Sequence, residues 1–321
     1  MGNGSAAKAN EIRIVREYDA PVRAVWEAWT DPAQVAQWWG PRGFTITTHS
    51  KDLRVGGHWR YTMHGPDGKD WPNVTKYLEV EEGKKLVYDH GGTDDKPALF
   101  RVTVLFSEAG KGKTRMEMTM ALATAEAAEE TKKFIKKAGG NGTWDRLAEY
   151  VEKEQRGREV FVIARSFETS VERMYAMWTE AEHFVKWLPP TGFTMRILEG
   201  DLRVGGEAFY VMEGSGMKMY GRVRYLEMTP PAGGRARVGY TQQFCDEHGG
   251  ISRHPMVPVW PETMMSAVEM VEEEAGRTRV VVRWEPAAGA TAEEVAVFVG
   301  MRGSMTMGWT GSFDKLEEAV R

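Results

Sequence analysis

The chain of 321 residues holds one cysteine, Cys245, so it has neither an intrachain disulfide nor a multi-cysteine metal site, and it suits a reducing compartment. Long apolar runs are also missing. No stretch approaches the roughly 20 consecutive apolar residues that span a bilayer, and MGNGSAAKANEIRIVREYD has no apolar run of the signal-peptide kind after its basic residue. The expectation is a soluble, cytoplasmic protein without membrane insertion. Neither sign of charge dominates: 42 Lys and Arg stand against 46 Asp and Glu, a net −4, which gives no electrostatic reason to expect nucleic acid as a partner. Signatures of chemistry are equally sparse. No two of the seven histidines share a helical His-x-x-x-His spacing, and no Gly-x-Ser-x-Gly elbow, phosphate loop or dinucleotide fingerprint occurs. No metal and no cofactor are expected.

What the chain does have is an internal repeat. Arg16-Glu17-Tyr18-Asp19-Ala20-Pro21-Val22 matches Arg165-Ser166-Phe167-Glu168-Thr169-Ser170-Val171, an offset of 165 − 16 = 149. The offset holds from Trp29, Trp38 and Gly43 to Trp178, Trp187 and Gly192, and DLRVGG recurs at Asp52–Gly57 and Asp201–Gly206. Tyr77 meets Tyr225 at 148, whereas TWDRLAEYV meets SFDKLEEAV at 169. One insertion of about twenty residues in the second half accounts for the drift. A repeat unit of about 150 residues is a whole domain with its own core. The expected boundaries are a flexible N-terminus at 1–10, a first domain at 11–155 and a second at 156–321, joined at the polar Glu152-Lys153-Glu154-Gln155-Arg156.

Within each unit the periodicities follow a fixed order. A strand (Glu11 to Tyr18, Arg158 to Phe167) precedes a helix with Val22, Val25, Trp26 and Trp29 at helical spacing. Asp31-Pro32 ends that helix and caps a second, which stops at Trp38-Trp39-Gly40-Pro41. Strand signals follow, broken by turns such as Gly65-Pro66-Asp67-Gly68, with the Gly56-Gly57 and Gly205-Gly206 pairs read as bulges or tight turns. Each half then returns to helix, and in the second half Thr291 with Glu294 forms a capping box ahead of one long segment to Val320. The fold class is α+β.

The strings RAVWEAWTDPAQVAQWWGPRGFT, DLRVGGHWRYTMHGPDG and YLEVEEGKKLVY, with FCDEHGGISRHPMVPVWPETM and GSMTMGWTGSFDKLEEAV in the second half, resemble the AHSA branch of the SRPBCC (START or Bet v-like) superfamily. The resemblance runs along nearly the whole chain from Glu11. It implies two helix-grip domains, each a curved seven-stranded antiparallel sheet wrapped around a long C-terminal helix, with two short helices after the first strand and a cavity between sheet and helix. Lipid carriers, hormone receptors, polyketide aromatase/cyclases and co-chaperones share this fold, so the resemblance leaves the activity open.

Strand alternation assigns the cavity walls. Trp59, Tyr61 and Met63 share an inward face, as do Met116, Met118 and Met120; in the second half Ala208, Tyr210 and Met212 stand opposite Met264, Ser266 and Val268. On the last helix Met301, Met305, Gly308, Trp309 and Ser312 fall on one stripe. These side chains either fill a core or line an adaptable pocket, a use that suits a chain with 19 Met. The two halves differ where the family pattern is strongest. Trp38-Trp39-Gly40-Pro41 becomes Trp187-Leu188-Pro189-Pro190, and the Gly308-Trp309 pair reads Gly139-Gly140 in the first half, where Lys132 and Lys136 replace Met301 and Met305. The Gly-Gly-Asn-Gly run at 139–142 is expected to break or hinge the first unit's last helix. The first cavity is then either more open or differently shaped.

Three polar residues are candidates for catalysis: His254, in a proline-bounded loop able to reach the cavity mouth, and the Asp89-His90 pair at a strand end. Cys245 has no adjacent helix start and reads as an inert side chain. The leading functional expectation is binding of a hydrophobic, lipid-, polyketide- or aromatic-like molecule in the second domain. Aromatase/cyclase-type or related lyase chemistry is the second reading, and activation of a heat-shock ATPase, implied by the family name, is the third.

Overall fold

The computed structural model describes residues 7–91, 97–137, 142–157 and 159–321. Expectations placed on residues 1–6 of the N-terminus, on Arg158 and on Gly139, Gly140 and Asn141 lie outside the described residues, as does the side chain of Lys136. The chain divides into two compact units, Met1–Gln155 and Arg156–Arg321.

In the first unit β1 (Glu11–Tyr18) leads to Pro21, whose extended backbone (φ −60°, ψ 152°) opens α1 (Val22–Thr30). Asp31 ends that helix, and its carboxylate accepts from the N–H groups of Ala33 (2.8 Å) and Gln34 (2.9 Å), satisfying two orphan donors of α2 (Pro32–Trp38). Trp38 Nε1 donates to the Ala28 carbonyl at 2.9 Å and so clamps the helix pair. The strands β2 (Thr45–Lys51), β3 (His58–His64), β4 (Asp70–Glu81), β5 (Lys85–His90), β6 (Phe100–Glu108) and β7 (Thr114–Ala121) form an antiparallel meander that β1 completes beside β7. α3 (Ala125–Lys137) and α4 (Gly142–Arg156) follow.

The second unit repeats the plan: β8 (Phe161–Phe167), α5 (Val171–Thr179), α6 (Ala181–Trp187), β9 (Phe193–Gly200), β10 (Glu207–Gly214), β11 (Met217–Ala232), β12 (Arg235–Cys245), β13 (Met264–Glu274), β14 (Arg277–Pro286), α7 (Ala292–Gly300) and α8 (Arg302–Val320). Its sheet has the order β8-β14-β13-β12-β11-β10-β9, matching β1-β7-β6-β5-β4-β3-β2 strand for strand. Both sheets are seven-stranded and antiparallel, as the α+β helix-grip reading requires.

The repeated DLRVGG builds the same loop twice. Arg54 Nε bonds Asp52 and Arg203 Nε bonds Asp201, each at 2.8 Å. Gly56 and Gly205 adopt φ +81° and +74°, and a Cβ on Gly57 would lie 2.2 Å from the Asp52 carbonyl oxygen. These glycines are demanded by a tight turn and a close backbone approach. The loop also docks on β4, since Gly56 N–H donates to Tyr77 O at 2.8 Å.

Two expectations need correction. The extra length of the second unit is not one insertion. Register pairs Tyr77 with Tyr88 and Tyr88 with Val102 in one sheet, and Tyr225 with Tyr240 and Tyr240 with Ser266 in the other. The offset therefore runs 148 at Tyr77, 152 at Tyr88, 164 at Val102 and 169 at Thr143, so the 21 residues divide into 4, 12 and 5. The first four lengthen the β11–β12 hairpin; of the twelve, three extend β12 past Tyr240 and nine enlarge the connection between β12 and β13. The capping box is as expected, with Thr291 Oγ1 accepting from Glu294 N–H at 3.2 Å and Glu294 Oε2 from Thr291 N–H at 2.8 Å. The segment beyond it is not one uninterrupted helix. It divides at Met301, between Gly300 and Gly303, where the Met301 N–H is shared by the carbonyls of Val297 and Phe298. Two glycines within four residues weaken the helix there.

The final helices are pinned to the loop after the short helix pair. In the first unit the Arg146 guanidinium donates to the carbonyls of Gln37 (3.2 Å), Trp39 (3.4 Å), Gly40 (2.9 Å), Pro41 (3.0 Å) and Phe44 (3.1 Å). In the second unit Ser312 Oγ donates to Leu188 O at 2.6 Å, and Lys315, aligned with Arg146, reaches Phe193 O at 3.5 Å. α8 sits close here: a Cβ on Gly311 would lie 2.5 Å from Thr191 Oγ1.

Each unit owns a complete sheet and its covering helices, so Met1–Gln155 and Arg156–Arg321 expressed separately are each expected to unfold cooperatively on heating. Far-UV circular dichroism checks this. A fragment without secondary structure would overturn the two-core description.

Candidate functional site

The inward sheet faces are covered differently in the two units. In the first, Trp29 stacks on Trp144 (centroids 5.4 Å, 17° between planes) and meets Trp38 and Trp39 edge-on at 5.4 and 5.6 Å. Trp39 lies edge-on to Trp59 at 5.1 Å, Trp59 stacks on Tyr61 at 4.1 Å, and Trp39 Nε1 donates to Tyr61 Oη at 3.1 Å. Trp59, Tyr61 and Met118 are buried and Met63 is half-buried. Trp59 and Tyr61 therefore belong to a continuous aromatic stack. Lys51, cross-strand from Trp59, holds its ammonium 4.0 Å from the ring centroid and donates to the Trp29 carbonyl in the last turn of α1 at 2.9 Å. Burial lowers the Lys51 pKa to about 7, against the opposing pull of Asp31.

In the second unit the corresponding positions carry smaller side chains. Trp39 becomes Leu188 and Trp59 becomes Ala208. The loop also changes course, because Gly40 sits at φ +99° and the aligned Pro189 cannot take that angle. Leu188 is αR (φ −60°, ψ −44°), a region that a following proline disfavours, where Trp39 is extended (φ −63°, ψ 132°). The loss of two indoles coincides with a cavity of about 460 Å³. Its walls are largely apolar, with Phe184 and Leu188 from the α6 side, Phe244 from β12 and Trp260 from the β12–β13 connection among them.

Of the residues expected at the second cavity, Tyr210, Met212, Met264, Met301, Met305, Gly308 and Trp309 all line it. Ser266 is buried on the same sheet face without being part of the wall. Tyr210 lies over Gly221, its cross-strand partner, where a Cβ would come within 2.4 Å of its hydroxyl. Trp309 stacks on Trp178 (6.0 Å, 19°) and touches Trp284 and Phe313 edge-on or tilted at 5.5 and 5.4 Å. A Cβ on Gly308 would meet nothing within 4 Å.

Sequence reasoning missed Tyr240, Trp284 and Trp260. Tyr240 was open to detection, since Ala236, Val238 and Tyr240 alternate and are buried. Trp284 lies on β14, where Thr278 to Arg283 is buried without interruption and the alternation is lost. Trp260 belongs to the enlarged connection, which has no period at all. That connection is nevertheless tied down: Asp246 Oδ1 accepts from the N–H groups of His248 and Gly250, Gln243 Nε2 donates to Thr263 Oγ1 at 2.8 Å, and Arg253 bridges Trp260 O (3.0 Å) and Glu294 Oε1 (2.6 Å).

The polar candidates fare unequally. His254 stands in the cavity wall, edge-on to Phe244 at 4.6 Å; its Nδ1 accepts the Met256 N–H at 3.1 Å, and burial lowers its pKa. The neutral ring thus carries its proton on Nε2. Asp89 and His90 are not brought together. As strand neighbours they point to opposite faces, Asp89 taking both arms of Arg101 (2.8 and 3.1 Å) and His90 stacking on Phe100 at 4.8 Å. Cys245 is buried, which raises its thiol pKa. Glu180, Glu182 and His183 bring potential ligand atoms within 4.8 Å of one another, but outside the cavity wall, and both glutamates are exposed.

Two outcomes follow from this geometry. Trp309→Ala is expected to cost about 2–3 kcal/mol, below the ~3–5 kcal/mol of a fully enclosed aromatic, because one side of the ring faces the cavity; urea unfolding of the second unit measures it. Lys51, observed by NMR after reductive ¹³C-methylation, is expected to titrate near 7, and titration above 10 contradicts its described burial.

The sequence model described as activator of Hsp90 ATPase homolog 1-like protein matches the chain twice, at residues 19–152 and 168–321. No curated protein matches it. Among solved structures, a protein from Nitrosomonas europaea is similar at 24% identity over 46% of this chain and 96% of its own, with a TM-score of 0.41. One from Mycobacterium smegmatis is similar at 26% identity over 46% and 93%, also at 0.41. The di-domain ARO/CYC BexL from the BE-7585A biosynthetic pathway is similar over 97% of this chain and 98% of its own, at 12% identity and a TM-score of 0.39. With the family's domain present twice, the chain belongs to the activator of Hsp90 ATPase homolog 1-like family.

Proposed function

We propose that the second unit binds an apolar small molecule of aromatic or short-polyketide size between its sheet and α8. The observation that carries this reading is the cavity itself. Its volume of about 460 Å³ falls in the ordinary range for small-molecule sites. Thioethers of Met212, Met264, Met301 and Met305 beside the rings of Trp260 and Trp309 make its wall both adaptable and strongly apolar. Ligand binding would supply contacts that the wall lacks, and thereby stabilise the folded unit.

Catalysis of the cyclase or aromatase type is the second reading, and His254 is the observation that favours it. Its Nε2–H is available as a proton donor, while its Nδ1 is occupied by the Met256 amide. A base at this position would require the hydrogen bond from that N–H to be given up and the tautomer exchanged. The wall tyrosines Tyr210 and Tyr240 are held neutral by burial, which raises their pKa. This inventory suits hydrogen bonding to a ligand better than proton removal from it.

Gly308→Leu tests the proposal. The new side chain enters open space, and replacing a glycine inside a helix contributes up to about 1 kcal/mol of stability. The variant is expected to melt at or above the wild-type temperature while losing affinity for N-phenyl-1-naphthylamine, a neutral fluorescent probe, by tenfold or more. Unchanged affinity would remove the second cavity from consideration as the binding site.

A further inference from the structure

One row of side chains crosses the inward face of the second sheet. Tyr225 pairs with Tyr240, Tyr240 with Ser266, Ser266 with Trp284 and Trp284 with Phe161. Directly paired residues stand within side-chain reach of each other. Tyr240 and Trp284 are in the cavity wall, with Tyr225 and Ser266 buried in the same row. The Tyr225 hydroxyl, the Ser266 hydroxyl and the Trp284 indole N–H are buried and have no hydrogen-bond partner among protein atoms. The Tyr240 hydroxyl lies close enough to Ser266 and Trp284 for both to favour its ionised form, but neither contact has the geometry of a formed hydrogen bond. Burying such groups unpaired is unfavourable, and natural interiors rarely tolerate it without a reason.

The first unit supplies an internal comparison. Its equivalent row reads Tyr77, Tyr88, Val102, Met120 and Ile12. The two tyrosines recur, whereas Ser266 and Trp284 stand where the first unit has Val102 and Met120. The additional polar atoms therefore accompany the cavity and are not needed to build the sheet.

An indole N–H can only donate, and a neutral tyrosine hydroxyl can donate as well. The group they would receive is an acceptor. The cavity wall contains no lysine or arginine among the described residues, so a carboxylate or phosphate would be buried without a counter-charge, at high cost. We infer that the ligand of the second unit carries a neutral carbonyl-type oxygen, a ketone or aldehyde on an otherwise hydrocarbon skeleton, which enters the cavity first and accepts from Trp284 Nε1–H and Tyr240 Oη–H. This rests on the binding function proposed above and adds to it the chemical class and the orientation of the ligand.

The test compares two compounds of nearly equal shape, 2-acetylnaphthalene and 2-ethylnaphthalene, by equilibrium dialysis against the full chain. Wild type, Tyr240→Phe, Trp284→Phe and Gly308→Leu are the proteins compared. Wild type is expected to prefer the ketone by on the order of tenfold, the worth of one or two well-made hydrogen bonds. In Tyr240→Phe and Trp284→Phe that ratio is expected to fall toward one, and Gly308→Leu is expected to lose both compounds. Equal wild-type affinities, or a ketone preference that survives in both variants, overturn the inference and leave the binding proposal standing. If wild type binds neither compound, or Gly308→Leu binds both as well as wild type, the binding proposal itself fails and the inference fails with it. The wild-type ratio needs no substitution to be informative, so a variant that folds poorly does not remove the test.

Discussion

An antiparallel sheet of seven strands with one face turned inward has to cover that face, and both units meet this requirement with the same elements. The short helix pair covers one part and the last helix another. Between them lies a region that only side chains can fill. In the first unit Trp39, Trp59 and Tyr61 fill it as an aromatic stack joined by the Trp39–Tyr61 hydrogen bond. In the second, Leu188 and Ala208 stand in place of the two indoles, and space is left beneath α8. The backbone agrees with the exchange. A loop turning at Gly40 with φ +99° delivers Trp39 into the stack, and Pro189 forbids that turn in the second unit.

The helix-grip architecture was legible in the residues because it is written in patterns that survive duplication. Asp31-Pro32, the DLRVGG loop and the Thr291–Glu294 box each specify one local geometry by hydrogen bonding or by a steric demand, and each is found where the sequence places it. The stripe from Met301 to Trp309 was legible for the same reason, as one helical face. Other features were hidden by the physics of their surroundings. β14 is buried through Arg283, so period two gives no sign of which face Trp284 occupies. The β12–β13 connection has no period, yet it contributes His254 and Trp260 to the cavity wall through turns that depend on Asp246 and Arg253. The break at Met301 reflects a balance between helix propensity and packing, which spacing alone does not resolve.

Comparing two copies within one chain separates what the fold requires from what one copy has acquired. Trp29, Trp38 and their counterparts Trp178 and Trp187 serve both sheets, and the indole of the second member in each pair donates to a carbonyl of the preceding helix, Ala28 or Met177. The stacking partner of that cluster has moved. Trp144 stacks on Trp29, but Trp309, one turn before the residue aligned with Trp144, stacks on Trp178. The shift keeps an indole against the helix pair while turning its other side toward open space. The 21 additional residues of the second unit follow the same logic, since the largest share lengthens the connection that walls the cavity.

The different pinning of the two final helices has a mechanical consequence. Arg146 gathers the Gln37 carbonyl of α2 and four carbonyls of the loop that follows onto a single planar group, so the helix end and the loop move as a block or not at all. In the second unit the duty is divided between a serine hydroxyl at Leu188 and a lysine at Phe193, and each of these can be released without the other. Both residues they hold belong to the cavity wall. Where the first unit has a rivet, the second has two separate latches, each holding a different residue of the cavity wall to α8.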